Sequence, residues 1–232
     1  MESILITGSN RGLGLEWARQ YAESGWRVYA TCRNPEQADE LRALSRTYPA
    51  LSLHRLDVTD ADQLASLGAD LAGAPIDILL NNAGVYFEKF TADNLGHIVY
   101  GEWEETFRVN TLGAVRVTEA LRSNLHAGRR RLVVVITSHM GSIAEIGSPG
   151  SYAYRSSKAA LNAAMKGISL ELQQEDVGVL LLHPGWVKTR MGGPGALLTT
   201  TESVAGMRKQ VEEFNSASSG RFFRYDGSEI PW

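Results

Sequence analysis

A tyrosine and a lysine stand four residues apart in an alanine-rich stretch, as Tyr154 and Lys158. Four residues make about one turn of an α-helix, so a helix here would present the phenol and the ammonium on one face. A phenol has an unperturbed pKa of about 10, and a nearby cation lowers that pKa because it stabilises the phenolate. The pair could therefore pass a proton to or from an alcohol oxygen. The same spacing occurs on many solvated helices, so this interpretation depends on the rest of the chain.

A glycine-rich turn follows the first apolar run. Ile4 to Ile6 is predicted to form a short buried strand and Leu15 to Ser24 a helix. Backbone N–H groups in such a turn can approach a phosphate at the positive end of the helix. The dinucleotide pattern G-x-G-x-x-G is not met, because Trp17 occupies the place of its third glycine or alanine. The spacing that does occur, behind Thr7, is Gly8, Gly12 and Gly14.

Three later apolar runs also end in polar turns. The runs are Ile76 to Leu80, Val133 to Ile136 and Leu180 to Leu182. The turns that follow them are Asn81-Asn82-Ala83-Gly84, Thr137-Ser138 and His183-Pro184-Gly185-Trp186-Val187-Lys188-Thr189. A further polar residue, Asn110, lies within the helix-like segment Arg108-Val109-Asn110-Thr111.

In order and spacing, these motifs together with Tyr154 and Lys158 resemble the short-chain dehydrogenase/reductase family over essentially the whole chain. Segments Ala30 to Pro35, Tyr152 to Lys158 and Tyr225 to Trp232 are similar to its carbonyl-reductase-like branch, which includes the sniffer and C-factor proteins.

Strand-like and helix-like segments alternate along the chain. This alternation predicts an α/β fold with a Rossmann-type doubly wound parallel sheet, in a single domain over 1–232. Residues 1–137 would mainly bind the dinucleotide and 138–232 the substrate, at the carboxyl ends of the strands. The predicted later strands are Arg27–Cys32, Leu51–Leu56, Ile76–Leu80, Leu132–Thr137 and Val177–His183. The predicted later helices are Pro35–Thr47, Asp60–Ala72, Glu102–His126, Tyr152–Asp176 and Thr201–Phe214.

The resemblance implies the reduction of a ketone or aldehyde by hydride from a nicotinamide. Tyr154 would be the general acid, and the base in the reverse direction. Lys158 would lower the pKa of Tyr154 and bind the nicotinamide ribose, while Ser138 would hold the substrate oxygen. Asn110 would anchor a water that links Lys158 to solvent; its alternative role is an amide at a helix bend.

Two serines, Ser138 and Ser142, are candidates for holding the substrate oxygen. Ser138 lies sixteen residues before Tyr154, a longer interval than is usual in the family, and Ser142 is closer to the usual one. We choose Ser138 because it ends a strand. The extra residues then widen the loop from Gly141 to Ser151 beside the substrate.

Cofactor choice depends on the end of the second strand. An acidic residue there would bind the adenosine ribose, but the chain has Arg33 and no acid before Glu36. Arg33 can pair with a 2′-phosphate, assisted by Arg11, so NADP(H) is preferred and NAD(H) remains possible. The alternative is that Arg33 and Arg11 are solvated surface residues that bind no phosphate. The full set of cofactor residues that the resemblance implies is Gly8, Asn10, Arg11, Gly12, Leu13, Gly14, Arg33, Asp57, Val58, Asn82, Ala83, Gly84, Tyr154, Lys158, Pro184, Gly185, Val187 and Thr189.

Composition excludes several other classes of protein. The net charge is −3 without basic runs, which gives no support to binding of nucleic acid or an anionic membrane. No apolar run approaches the roughly 20 residues of a membrane span. The single Cys32 and a first strand close to Met1 indicate a cytoplasmic protein without a signal peptide. No metal site is expected, because His139 and His183 lack further ligands at suitable spacing.

Three functions are compatible with the sequence. The favoured one is an NADP(H)-dependent carbonyl reductase; the others are an NAD(H)-linked alcohol dehydrogenase and a dinucleotide-binding signalling or regulatory protein without turnover. The substrate would lie between His139–Tyr152 and Trp186–Leu198, with Lys188–Thr201 as a mobile lid. Apolar residues on two sides of the helix from Tyr154 predict a homodimer or homotetramer.

Overall fold

The structure, a computed structural model, describes residues 1–90 and 95–232. Its centre is a seven-stranded sheet in which all neighbouring strands are parallel, in the order β3-β2-β1-β4-β5-β6-β7. From β1 the chain adds β2 and β3 on one side of the sheet, and then β4 to β7 on the other side. The strand order therefore reverses between β1 and β4, and a crevice lies at the carboxyl ends of these two strands. The strands are β1 Ser3–Ile6, β2 Arg27–Cys32, β3 Leu51–Arg55, β4 Ile78–Asn81, β5 Leu132–Ile136, β6 Gly178–His183 and β7 Arg221–Arg224.

Helices cover both faces of the sheet. In the described part of the chain they are α1 Gly12–Glu23, α2 Asp39–Thr47, α3 Ala61–Asp70, α4 Tyr100–Phe107, α5 Ala114–Ala120, α6 Arg122–Ala127, α7 Tyr152–Leu172 and α8 Thr200–Glu212. Within residues 1–90 and 95–232, no helix combines the length and the apolar character needed to cross a membrane.

The apolar strands are buried because successive side chains enter two different cores. In β5, Leu132, Val134 and Ile136 pack with the apolar faces of α1, α2 and α8. Val133 and Val135 point the other way, into a core shared with α3, α5, α6 and α7. This double burial explains why the strands appear in the sequence as continuous apolar runs, and it confirms the predicted doubly wound sheet.

Several predicted boundaries need correction. The predicted helix Glu102–His126 is interrupted by a π-helical segment, Arg108–Gly113, and breaks again at Leu121. Pro35 begins a short 3₁₀ turn that is separate from α2, and α7 ends at Leu172 before another 3₁₀ turn. Strand β7 was not predicted. It is a four-residue edge strand whose charged ends, Arg221 and Arg224, hide its apolar centre in the sequence.

Candidate active site

The glycine turn is built for close contact between β1, α1 and the end of β4. Gly8 and Gly12 have φ values of +69° and +55°, in the left-handed region that favours glycine. A Cβ at Gly14 would overlap the carbonyl oxygen of Gly8 and lie 2.6 Å from Nδ2 of Asn82. The absence of a side chain at Gly14 therefore lets α1 begin directly against the turn, with its N-terminal N–H groups at the crevice.

We expect Gly14→Ala to destabilise the protein by about 1–3 kcal/mol and to weaken dinucleotide binding, because the glycine turn must move to admit the methyl group. Gly68→Ala is the matched control, since a Cβ at that helical position meets nothing within 4 Å. It should be neutral or stabilise by up to about 1 kcal/mol through helix propensity. Thermal unfolding and NADPH fluorescence titration measure both effects. Equal behaviour of the two variants would contradict the packing argument.

Asn82 holds the turn through hydrogen bonds within the protein. Its Nδ2 donates to the carbonyl oxygens of Thr7, at 2.8 Å, and Gly8, at 3.2 Å. The Thr7 hydroxyl in turn accepts the N–H groups of Asn82 and Ala83, both at 3.0 Å. Thr7 was missing from the predicted site residues, although its position directly before Gly8 was a usable signal.

Three arginines surround the glycine turn. The pKa of Arg11 is lowered by partial burial and then by the charges of Arg190 and Arg33. Each of the three is exposed, and in the part of the chain that the structure describes none of their guanidinium groups forms a hydrogen bond or ion pair. Arg190 belongs to this group because Thr189 lies over the turn, with its Cγ2 3.4 Å from the position of a Cβ at Gly12. Such an uncompensated cluster of cations can hold a phosphate group.

The remaining predicted cofactor residues lie around this crevice. Asn10 is exposed and Leu13 half-buried in the glycine turn. Asp57 follows β3 and accepts hydrogen bonds from the backbone and hydroxyl of Thr59, at 2.9 and 2.8 Å. Val58 is buried and packs on Gly113, where an added Cβ would lie only 2.6 Å from the Val58 Cγ2. The remaining members follow β4 and β6: Ala83, Gly84, Pro184, Gly185 and Val187.

Tyr154 and Lys158 are both buried on α7, with 8% and 4% of their surfaces exposed. The Lys158 Nζ lies 5.9 Å from the centre of the Tyr154 ring and donates a hydrogen bond of 2.9 Å to the carbonyl oxygen of Ile136. Burial lowers the pKa of Lys158 to about 8. Burial also raises the pKa of Tyr154 to about 12, against a lowering effect of the Ser138 hydroxyl.

The lowering of the Tyr154 pKa by Lys158 stays a prediction, while in the structure that pKa is raised. The physical reason is that both groups are removed from water, which disfavours the charged form of each. The ammonium is directed to the Ile136 carbonyl oxygen, and the lowering effect on the phenol comes from Ser138.

Ser138 is the serine that the structure brings to the phenol. It lies two residues after β5 and is the N-cap of a short 3₁₀ turn, where its Oγ accepts the Met140 N–H at 3.1 Å. Its hydroxyl also forms a hydrogen bond with the Tyr154 phenol, which by itself lowers the pKa of that phenol. Ser142 instead accepts the N–H of Glu145 at 3.3 Å, inside the widened loop. The strand-end argument therefore selected the hydroxyl that contacts the phenol.

Asn110 lies in the π-helical segment and uses its amide to join two elements. Its Oδ1 accepts the Val85 N–H at 2.8 Å, while Nδ2 donates to the Val85 carbonyl at 2.9 Å and to the Ser157 hydroxyl at 3.1 Å. The side chain thus fixes the loop after β4 against α7. This geometry fits the alternative role at a helix bend, and the role in anchoring a water stays a prediction.

The two strand-end histidines contact each other. His139 Nδ1 and His183 Nε2 are 3.2 Å apart, and burial lowers the pKa of His183 to about 3. Across residues 1–90 and 95–232 there is no group of three His, Cys, Asp or Glu side chains arranged to hold a metal ion. The contact joins the segment after β5 to the end of β6.

Two loops lie beside the side chains that the sequence predicts to be catalytic. The widened loop exposes Ile143 and Ile146, and its Ala144 N–H donates to the Trp232 carbonyl at 3.0 Å. The loop after β6 exposes three more apolar side chains, Trp186, Met191 and Leu197. Its ends are joined by a hydrogen bond of 2.8 Å from the Lys188 N–H to the Leu198 carbonyl. The predicted mobility of this loop stays a prediction.

Comparison with known proteins defines the class. The short chain dehydrogenase family matches residues 2–196, so the chain belongs to that family of oxidoreductases. It is 44% identical over 169 residues to C-signal of Myxococcus xanthus, covering 73% of this chain and all of that protein. Carbonyl reductase Sniffer of D. melanogaster superimposes with a TM-score of 0.92 and 32% identity over the whole of both chains. NADPH-bound carbonyl reductase from chicken fatty liver gives 0.91 and 31%, over 100% of this chain and 94% of that one.

Proposed function

We propose that the protein is an NADPH-dependent reductase of ketones or aldehydes. The observation that carries this proposal is the buried Tyr154 phenol, which contacts Ser138 and lies one helical turn from Lys158 at the crevice beside the glycine turn. The names of Sniffer and the chicken enzyme, both carbonyl reductases, support the same activity. Within the single domain, residues 1–137 mainly hold the cofactor and 138–232 the substrate.

In this proposal the nicotinamide supplies the hydride, and the protein supplies the proton. Ser138 holds the carbonyl oxygen, and Tyr154 donates its proton to that oxygen as negative charge develops there. Lys158 binds the nicotinamide ribose, and its pKa of about 8 lets it exchange a proton near neutral pH. Asn110 anchors a water that connects Lys158 to solvent.

The pKa of Tyr154 is consistent with a proton-donating role at neutral pH. At about 12 it keeps the phenol protonated at neutral pH, which is the form that a general acid needs. Oxidation would require the phenolate, which burial disfavours. The same site catalyses both directions, so the choice between a reductase and an NAD(H)-linked alcohol dehydrogenase rests on the cofactor and not on this pKa.

The cofactor proposal depends on the arginines at the glycine turn. Arg33 follows the carboxyl end of β2, where a carboxylate would otherwise bind the adenosine ribose. Arg11 and Arg190 add positive charge beside it. A 2′-phosphate would compensate this charge, and the NADPH-bound chicken enzyme supports the same preference.

A screen of ketones, aldehydes and quinones with NADPH and NADH tests the proposal. We expect oxidation of NADPH by at least one carbonyl compound, with a higher kcat/KM for NADPH than for NADH. Preference for NADH would favour the alcohol dehydrogenase. Tight NADPH binding without turnover on any compound would favour a dinucleotide-binding signalling protein, an alternative that the 44% identity to C-signal keeps open.

We also propose that the protein forms at least a homodimer through α7. Ala163, Gly167 and Leu170 are exposed along one side of this helix, and Ala160 is half-buried beside them. Sedimentation at micromolar concentration should give a dimer or tetramer mass, and Ala163→Arg should shift it toward the monomer. A monomer mass for the unmodified protein would contradict the proposal.

The buried free thiol of Cys32 fits a reducing, cytoplasmic compartment, which cell fractionation tests.

A further inference from the structure

The loop that follows β4 contacts the first turn of the catalytic helix. The Glu88 carboxylate is buried and accepts the backbone N–H groups of Ala153, at 2.8 Å, and Tyr154, at 3.3 Å. The Tyr86 ring is stacked on the Tyr154 ring, with centroids 4.2 Å apart and planes 19° from parallel. We propose that Glu88 and Tyr86 are positioning residues that set the place of the Tyr154 phenol, an inference that rests on the proposed function.

The N-terminus of α7 needs an acceptor from elsewhere in the chain. The first N–H groups of a helix have no partner within it, and a side chain at the N-cap usually accepts one of them. The N-cap residue Ser151 makes no such bond, and its backbone has φ of 56° and ψ of 37°. The Glu88 carboxylate takes this role, and its negative charge is favourable at the positive end of the helix.

The contact of Glu88 with the N-terminus of α7 affects the proposed proton transfer because Tyr154 lies in the first turn of that helix. Tyr154 is the third residue of α7, so it belongs to the turn that Glu88 holds. Lys158 is one turn further on and is fixed separately, by its hydrogen bond to the Ile136 carbonyl. Fraying of the first turn would therefore displace the phenol and leave the lysine in place. A displacement of about 1 Å is enough to lower a rate by about 10²-fold.

Tyr86 restrains the phenol from its side. The stacked ring limits the directions in which Tyr154 can turn, and a hydrogen bond between the Tyr86 hydroxyl and Ser151 Oγ anchors that ring to the helix. Asn110 fixes the residue before it, Val85, through two hydrogen bonds. The short segment from Val85 to Glu88 is thus bound at both ends to the elements that carry the catalytic side chains.

Kinetics of Glu88 variants test the proposal. In Glu88→Ala we expect kcat to fall about ten- to a hundred-fold, with KM for NADPH within about three-fold of the unmodified protein. Glu88→Gln keeps an acceptor oxygen in the same place, so it should retain kcat within about three-fold. The control is Glu171→Ala, which removes an exposed carboxylate from the other end of α7 and should change neither constant. An unchanged kcat in Glu88→Ala would overturn the proposal.

A double variant separates positioning from a general loss of structure. If Glu88 acts through the Tyr154 hydroxyl, Glu88→Ala should cause no further loss of rate in the Tyr154→Phe background. A further ten-fold loss there would overturn the inference. Tyr86→Leu removes the stacked ring and should lower kcat about ten-fold, whereas Tyr86→Phe keeps the ring and most of the rate. These two variants carry the same test if Glu88→Ala does not fold.

Hydrogen exchange provides a measurement that does not need turnover. Backbone N–H groups of residues 152–158 should exchange faster in Glu88→Ala than in the unmodified protein, Glu88→Gln or Glu171→Ala. Unchanged exchange would overturn the capping role. If the unmodified protein reduces no carbonyl compound, the proposed function fails and the catalytic role of this loop with it, while the exchange result still decides whether Glu88 caps the helix.

Discussion

Replacement of Tyr154 by phenylalanine is expected to leave NADPH binding intact and to lower kcat by about 10²- to 10⁴-fold, the usual effect of losing a general acid. The variant removes one oxygen and keeps the ring that is stacked on Tyr86, so the local packing is preserved. The proton that would pass to the substrate oxygen is lost. Ser138 still holds that oxygen, which leaves a small residual rate.

Steady-state kinetics and NADPH titration of three variants check this prediction. Tyr100→Phe is the control, because Tyr100 is exposed at the start of α4 and its ring is stacked on Trp103 instead; it should retain nearly full activity. Lys158→Ala should impair both NADPH affinity and kcat, since two roles are assigned to that residue. Near-normal turnover in Tyr154→Phe would remove the central step of the mechanism.

The fold and the meeting of most site residues could be predicted from the sequence. Apolar strand runs are continuous because the sheet is buried on both faces, and polar turns follow their carboxyl ends. Since parallel strands end at one edge, the sequence predicts that Gly12, Asn82, Ser138 and Pro184 converge there. The choice of Ser138 also follows from the sequence, which predicts a strand up to Thr137; in the structure β5 ends two residues before Ser138. Periodicity and strand-end position carry this information, and both are local properties.

What could not be predicted depends on contacts between distant segments. Glu88 caps a helix that begins about 65 residues later, and no spacing rule connects the two. The raised pKa of Tyr154 comes from burial, which depends on the packed core. Arg190 approaches Arg11 only because the loop after β6 folds back over the glycine turn. These three features are products of tertiary structure.

Arg33→Asp is expected to reverse or abolish the preference for NADPH. A charge-assisted hydrogen bond contributes about 1.5–3 kcal/mol, which corresponds to roughly ten-fold to more than a hundred-fold in affinity. The substitution deletes that bond to the 2′-phosphate and adds repulsion, so NADPH should bind more weakly by at least this factor. NADH lacks the phosphate and should change by much less, or improve where the new carboxylate reaches the ribose hydroxyls. The effect on NADPH should weaken with added salt, because exposed charges are screened.

Arg27→Asp is the control that separates local contact from net charge. Arg27 begins β2 and Arg33 directly follows the last residue of that strand. The two substitutions therefore change the net charge equally, but at opposite ends of β2. Only Arg33→Asp should change the ratio of kcat/KM for NADPH to that for NADH. Equal effects of both variants would attribute the preference to overall charge. If the unmodified protein already prefers NADH, the assignment of Arg33 to a 2′-phosphate is wrong, while the fold and the proposed chemistry of Tyr154 are unaffected, because neither depends on that phosphate.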